Sequence, residues 1–151
     1  MPKSLALTAL KSPRWQDYAL LDSGEGLKLE RFGPYAMVRP EVQAAWSQSL
    51  PPEEWKKADA AFKPTGEESG GHWDVRSRLP DQWELTYPLD LGPEAPSPGA
   101  MLRFSVMTTP GRHLGVFPEA AAASVGRPGP DGYLYHFLMP GHNLELTCGN
   151  C

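Results

Sequence analysis

The chain of 151 residues is long enough for one domain of ordinary size with its own hydrophobic core. Its 17 prolines and 15 glycines are about a fifth of all residues, against an average of roughly 12 per cent, which disfavours long helices over much of the chain. Because 14 lysines and arginines stand against 18 aspartates and glutamates, the net charge is −4, and no overall positive field draws the protein onto nucleic acid.

The sequence has no feature of a membrane or secreted protein. No apolar run approaches the roughly 18 residues of a membrane-spanning helix, and the apolar N-terminal run is too short for a signal peptide. Cys148 and Cys151 both lie in the last four residues, so they provide no disulfide framework for the body of the fold. We therefore expect a soluble cytoplasmic protein without a membrane partner.

The first part of the chain predicts a weakly ordered arm followed by three short strands. The arm covers residues 1–16. Residues 18–21 and 27–32 flank the turn-rich connector 22–26, which is typical of a hairpin. Residues 35–39 then complete a three-stranded meander.

Two short helices are predicted next. Residues 40–47 have apolar side chains at helical spacing after Pro40, which suits a first helical turn. Residues 51–62 begin with two prolines followed by two glutamates, which is a stronger helix signal. We expect Trp46 and Trp55 to point from these helices into the sheet.

Period-two alternation of apolar residues returns after residue 71. Residues 72–77 and 83–87 each place aromatic and aliphatic side chains on one face, so we predict that they pair as a hairpin. Residues 89–99 hold three prolines and two glycines and predict a surface loop. A further strand starts at Met101 and ends before Pro110-Gly111.

The fold predicted from these elements is α+β and mostly β. It is an antiparallel meander of about six or seven short strands with one or two short covering helices. We divide the chain into an N-terminal arm at residues 1–16, a β-rich domain at residues 17–119 and a divergent tail at residues 120–151. The tail contains two further predicted strands around Pro140-Gly141.

One segment combines several kinds of chemistry. Residues 112–119 bring together positive charge, imidazole, glycine, an aromatic ring and a carboxylate directly after a chain-breaking Pro-Gly pair. Such a combination is what a site at a domain junction needs.

Several stretches resemble the N-terminal portion of bacterial class I S-adenosylmethionine-dependent methyltransferases, which are relatives of the large-subunit ribosomal RNA cytosine-5 methyltransferases. The resemblance covers roughly residues 15–120 and is carried by residues 18–26, residues 28–40, Gly71-His72-Trp73, Trp83 and residues 113–119. In that family a Gln, an Asn-Trp pair and a long Rossmann-like catalytic domain follow the Phe-Pro-Glu step. Here Ala120 stands at the Gln position and the Asn-Trp pair is absent. We therefore expect the catalytic domain to be missing from this chain.

The resemblance implies a cofactor and a set of residues near it. S-adenosylmethionine would be the cofactor, and the mouth of its cleft would be lined by Arg112, His113, Gly115, Phe117 and Glu119. The other interpretation is that Gly115 permits a turn, Phe117 packs and the charged residues are solvated. We favour this second interpretation for the isolated chain, because a cleft needs its other wall. The leading function is thus an accessory or substrate-recognition portion of an RNA methyltransferase, not catalytic alone.

Two further functions stay open. The chain could be a stand-alone binding module, associating with a separate catalytic subunit or with itself through an apolar surface around Val116 and Phe117. It could also be a small zinc protein, because a Cys-x-x-Cys pair with two upstream histidines supplies four zinc ligands: His136, His142, Cys148 and Cys151.

A local RNA-binding surface is a separate possibility. Arg76, Arg78 and Arg103 lie near tryptophans in the sequence, and arginines beside aromatic rings are typical of RNA contacts. The alternation places Arg76 and Arg78 on the face opposite Trp73, which favours a solvated sheet face instead.

Overall fold

The structure is a computed structural model, and it describes residues 14–66, 70–88 and 101–118. These residues form seven strands and one short helix, which confirms the predicted mostly β fold. In chain order the elements are β1 (Tyr18–Gly24), β2 (Leu27–Phe32), β3 (Tyr35–Pro40), α1 (Pro52–Lys56), β4 (Ala60–Pro64), β5 (Gly71–Val75), β6 (Trp83–Pro88) and β7 (Met101–Val106). The predicted loop at residues 89–99 and the predicted tail at residues 120–151 lie outside the described residues.

The strands form two sheets. A five-stranded sheet has the order β1-β2-β3-β4-β5, and β6 pairs with β7 in a second sheet. The predicted meander of β1, β2 and β3 is confirmed, and Gly24-Glu25-Gly26 turns the first hairpin. β4 then adds to β3 in the parallel sense, because the chain crosses over through α1 before it returns to the sheet.

The predicted hairpin between residues 72–77 and 83–87 is wrong. β5 pairs with β4, where Phe62 lies opposite Trp73, and β6 pairs with β7. The aromatic pair exists, but its partner is Phe62, whose ring meets Trp73 edge-on at 5.4 Å between centroids. The alternation of apolar residues identifies the buried face of a strand but not the strand that pairs with it. Two strands that are consecutive in the sequence were therefore wrongly predicted to pair.

The helix predicted at residues 40–47 is absent. The backbone of this segment bonds to the β1–β2 turn instead: the N–H groups of Glu25 and Gly26 donate to the carbonyls of Trp46 and Ala44 at 2.7 and 2.8 Å. Trp46 is 56% exposed, so the prediction that it points into the sheet is also wrong. Backbone N–H groups of the β1–β2 turn thus take the place of the hydrogen-bond donors that a helix would have supplied to these carbonyls.

The second predicted helix is correct only at its start. α1 ends at Lys56, and β4 begins at Ala60, within the range predicted as helical. Ala60, Ala61 and Phe62 are all buried, because this strand is covered on both faces of the sheet. Trp55, which is 8% exposed, does point into the core as predicted.

The five-stranded sheet has a core on each face. On one face Phe32 and Met37 pack against Leu85 and Val106 of the second sheet and against the segment after β7. On the other face Leu29, Val38 and Ala61 pack against Trp55 and Ala58. Trp15, at the end of the predicted arm, also packs against the first core. The domain boundaries themselves stay a prediction.

Candidate functional site: a charged cleft beside residues 112–118

The segment of residues 112–118 has an inner and an outer side. Leu114 and Val116 are 0% and 3% exposed and belong to the core between the two sheets, whereas Arg112 and His113 are exposed. Gly115 has a φ of +84°, a left-handed conformation that glycine adopts at little cost. The segment is therefore anchored by its apolar side and presents its polar side to solvent.

Hydrogen bonds fix the backbone of this segment and of the residues directly before it. The indole of Trp73 donates to the carbonyls of Thr109 and Gly111 at 2.9 and 3.2 Å. The Thr109 hydroxyl donates to the His113 carbonyl at 2.6 Å, and the Trp15 indole donates to the Pro118 carbonyl at 2.9 Å. The polar side of the segment is thus held in one position relative to both sheets.

A cleft of about 280 Å³ lies between this segment and the charged ends of β2 and β3. One wall comes from the segment and the other from the two strands and the loop after β3. Its lining residues are Lys28, Arg39, Pro40, Glu41, Val42, Gln43, Arg112, His113, Phe117 and Pro118.

A buried ion pair lies beside the cleft, which only its arginine lines. Glu30 and Arg39 are 1% and 6% exposed, and the guanidinium donates to both carboxylate oxygens at 2.7 and 2.8 Å. The Tyr18 hydroxyl also donates to Glu30, at 2.9 Å. Buried charges need such partners, because desolvation of an unpaired charge costs several kcal/mol. Arg39 further donates to the Arg112 carbonyl at 3.3 Å, so the ion pair joins the sheet to the segment.

The cleft has a local excess of positive charge. Lys28 lies opposite Arg39 in the β2–β3 register, and its Nζ is 3.7 Å from a Glu30 oxygen and 3.5 Å from a Glu41 oxygen. With Arg112 on the facing wall, three cations meet two carboxylates. Counted over the described residues, this excess of one positive charge contrasts with the net charge of −4 of the whole chain.

An aromatic pair completes the segment wall. The rings of His113 and Phe117 lie 5.2 Å apart with an interplanar angle of 51°. Aromatic rings at this separation attract each other, and Phe117 is half-buried, so the pair places two inclined ring faces next to the cations.

Three of the five residues that the sequence singled out line the cleft: Arg112, His113 and Phe117. Gly115 is absent from the lining and acts through its backbone turn, and Glu119 lies outside the described residues. The sequence reasoning missed Lys28, Arg39 and Glu41. The sequence did contain a sign of these charged residues. Side chains alternate between the two faces of a strand, so Lys28 and Glu30 lie on the same face of β2 as the core residue Phe32.

The arginines proposed for an alternative RNA surface are spread over both sheets. Arg76 follows β5 and lies 3.7 Å from Asp74, whereas Arg103 on β7 donates to Glu84 at 2.6 Å. Arg78 is exposed. Arg76 and Arg103 thus belong to different sheets, and a shared RNA surface with Trp73 stays a prediction.

The apolar docking surface was predicted around Val116, Phe117 and the tail. Val116 belongs to the core and Phe117 is half-buried, whereas the tail lies outside the described residues, so this docking surface stays a prediction. Among the described residues, large exposed apolar side chains occur on β1, on the loop after β3, on β5 and on β7: Leu20 (55%), Leu21 (43%), Val42 (80%), Trp46 (56%), Val75 (48%) and Met101 (39%). Four of these six lie on β1 and the loop after β3.

The residues of the predicted zinc site, His136, His142, Cys148 and Cys151, lie outside the described residues. Within residues 14–66, 70–88 and 101–118 no group of three or more His, Cys, Asp or Glu side chains could hold a metal ion. The zinc site stays a prediction, which metal analysis of the wild-type chain and of Cys148→Ser would test. No helix in the part of the chain that the structure describes is long and apolar enough to cross a membrane.

Comparison with solved structures finds proteins similar to this chain. The chain resembles a solved structure described as a SAM-dependent methyltransferase from Agrobacterium tumefaciens, with 36% sequence identity and a TM-score of 0.60. The match covers 77% of this chain and 33% of that protein, so the chain spans about a third of its length. No protein-family model and no curated protein gives a significant match. Sequence and fold together thus support a relationship between this chain and part of a SAM-dependent methyltransferase.

Proposed function

We propose that this chain is the substrate-recognition portion of a SAM-dependent methyltransferase that acts on RNA, with ribosomal RNA as the substrate. The observation that carries the proposal is the 36% identity over most of this chain with only a third of a methyltransferase. A β-rich unit of this size therefore corresponds to one part of a larger enzyme. The choice of RNA follows from the resemblance of residues 15–120 to the ribosomal RNA methyltransferases.

The proposal assigns methyl-donor binding to the part of the enzyme that the match does not cover. A Rossmann-like domain binds its cofactor where a glycine-rich turn joins a strand to a helix. Among the described residues the one helix has five residues and follows Pro51, and Gly24-Glu25-Gly26 lies in a hairpin turn. The described part of the chain therefore offers no such element, and we expect no methyl transfer by this chain alone.

In the complete enzyme, the cleft beside residues 112–118 would lie at the junction with the catalytic portion. Arg112, His113 and Phe117 supply one prepared wall, and the backbone hydrogen bonds of the segment keep this wall in place. Such a junction brings the substrate-recognition surface next to the mouth of the cofactor cleft, which is where the reacting base has to be delivered.

Calorimetric titration of the purified chain with S-adenosylmethionine and with S-adenosylhomocysteine tests this division of labour. We expect no binding of either compound at micromolar concentrations, while the Agrobacterium methyltransferase, as the positive control, binds. Micromolar affinity in the isolated chain, or transfer of labelled methyl groups to ribosomal RNA by the chain alone, would contradict the proposal.

A second candidate is a partner-binding module that associates with itself. It is favoured by Leu20 and Leu21, which are exposed on β1, an edge strand of the five-stranded sheet. Exposed apolar edge strands promote association between chains. Light scattering should then find a dimer that dissociates in Leu20→Ser/Leu21→Ser, whereas a monomeric wild-type chain would remove this candidate.

A further inference from the structure

We propose that the cleft beside residues 112–118 binds one nucleotide of single-stranded RNA. The phosphate would contact Arg112 and Lys28, and the base would stack on the ring pair of His113 and Phe117. This inference rests on the proposed function for its choice of RNA as the polymer, and goes beyond it by naming the site and the strandedness of the substrate.

Among the described residues, the charges of the cleft leave one cation for an incoming anion. Arg39 is neutralised by the two-point contact with Glu30. Lys28 is shared between Glu30 and Glu41 at 3.7 and 3.5 Å and stays partly accessible. The Arg112 guanidinium makes no ion pair with any described residue, while its carbonyl is held by Arg39. Arg112 therefore provides a positioned donor group for a phosphate, which guanidinium binds with two parallel hydrogen bonds.

The aromatic pair supplies a surface for the base. His113 and Phe117 are four positions apart, and the turn at Gly115 lets both rings lie on the outer side while Leu114 and Val116 enter the core. Single-stranded RNA is bound by stacking of unpaired bases on aromatic side chains next to arginines and lysines. This combination favours a nucleotide over an acidic peptide, since the peptide would use the cations but not the rings.

The size of the cleft limits the ligand. At about 280 Å³ it lies just below the roughly 300–1,000 Å³ of typical small-molecule pockets. One nucleotide matches this size, whereas the bases of a duplex stay stacked inside the helix and cannot enter it. The structure therefore predicts a preference for single-stranded over double-stranded RNA.

Fluorescence anisotropy of the full chain with a labelled single-stranded RNA of about 12 nucleotides tests the site, with salt varied from about 50 to 200 mM. Arg112→Ala should weaken binding about tenfold and reduce the slope of log affinity against log salt by about one. The matched control is Arg103→Ala, which removes an exposed arginine outside the cleft that is paired with Glu84. We expect its affinity to stay within about twofold of wild type.

Phe117→Leu separates stacking from charge. It keeps an apolar side chain in the half-buried position and removes the ring, so affinity should fall while the salt slope stays unchanged. Thermal unfolding of each variant shows whether it is folded. If Phe117→Leu does not fold, the comparison of Arg112→Ala with Arg103→Ala still decides, because both side chains are exposed.

The inference is overturned if the wild-type chain does not bind the RNA or if Arg112→Ala binds it as tightly as wild type does. It is also overturned if Arg103→Ala loses as much affinity as Arg112→Ala. Finally, it is overturned if duplex RNA or an acidic peptide of equal charge competes as well as single-stranded RNA. None of these measurements involves the methyl donor. If the RNA-binding measurements contradict this inference, the calorimetric test of the proposed function is unaffected. The calorimetric test uses no RNA, so its result likewise does not depend on whether the cleft binds a nucleotide.

Discussion

Asp22 holds together two distant parts of the chain. Its carboxylate accepts hydrogen bonds from the backbone N–H groups of Ser49 and Leu50 at 3.0 and 2.8 Å and from the Trp55 indole at 3.0 Å. Burial acts to raise the pKa of Asp22, but these bonds and one from the Ser23 N–H together hold its pKa below the usual 3.8. The loop after β3 and α1 are therefore tied to β1 by a charged group.

Asp22→Asn should destabilise the protein by about 2–4 kcal/mol near neutral pH, because the amide replaces one accepting oxygen with a donor that faces other donors. A carboxyl whose pKa is lower in the folded state stabilises the fold above its unfolded pKa, and this stabilisation is lost as the pH falls through the folded value. In urea unfolding below about pH 4, the difference in unfolding free energy between Asp22→Asn and wild type should therefore become smaller.

The control for Asp22 is Asp74→Asn, which changes an exposed carboxylate 3.7 Å from Arg76. Exposed ion pairs contribute little, so the free energy of unfolding should change by less than about 1 kcal/mol. Equal effects of the two substitutions would contradict the role given to Asp22.

Glu30 is the second buried carboxylate, and it forms an ion pair with Arg39, which lines the cleft. Glu30→Gln leaves the guanidinium of Arg39 buried without a counter-charge, which should cost about 3–5 kcal/mol in unfolding free energy. Adding Arg39→Met removes that charge, so Glu30→Gln/Arg39→Met should be more stable than Glu30→Gln alone. A double variant that is less stable than the single variant would show that the contacts of Arg39 with Phe32 and the Arg112 carbonyl matter more than its charge.

At the scale of elements, the loop after β3 depends on close approach to the first hairpin. A Cβ atom at Gly24 would lie 2.6 Å from the Gln48 nitrogen and 2.7 Å from the Ser47 carbonyl carbon, and both are backbone atoms that have no free rotation to avoid it. The loop therefore packs on this hairpin only because the position has no side chain.

Gly24→Ala should accordingly lower the free energy of unfolding by about 2–3 kcal/mol, since the loop has to move away from the hairpin. The matched control is Gly66→Ala, where nothing lies within 4 Å of the added Cβ and no positive φ is required. We expect a change of less than about 0.5 kcal/mol there. Thermal or urea unfolding of both variants measures the difference, and equal stabilities would contradict the close approach at Gly24.

The elements differ in how far the sequence could predict them. The strands β1, β2 and β3 were predictable, because alternation and a glycine-rich turn act over a few neighbouring residues. The partners of β5 and β6 were not, since pairing depends on contacts far apart in the chain, such as Phe62 with Trp73. The helix predicted at residues 40–47 failed for the same reason, because its backbone groups bond to the distant turn at Glu25 and Gly26.

At the scale of the whole molecule, the two sheets enclose a core, and a charged cleft lies at its edge in the described part of the chain. The family resemblance had singled out Arg112, His113 and Phe117 as residues of a cofactor cleft, although we favoured packed or solvated roles for them in the isolated chain. The opposite wall, with Lys28 and Arg39, required the β2–β3 register and the fold of the 112–118 segment, neither of which follows from local pattern. A chain with a net charge of −4 can therefore still present a local cationic site.

Reconstitution of methyl transfer tests whether this chain is the substrate-recognition portion of a methyltransferase. The Agrobacterium methyltransferase would be prepared without the third that matches this chain. Transfer of labelled methyl groups would be measured before and after addition of this chain, with ribosomal RNA as the substrate that we propose. Addition of the enzyme's own missing third serves as the control. We predict that this chain restores transfer and that it transfers nothing by itself. Restoration by the enzyme's own third but not by this chain would contradict the account.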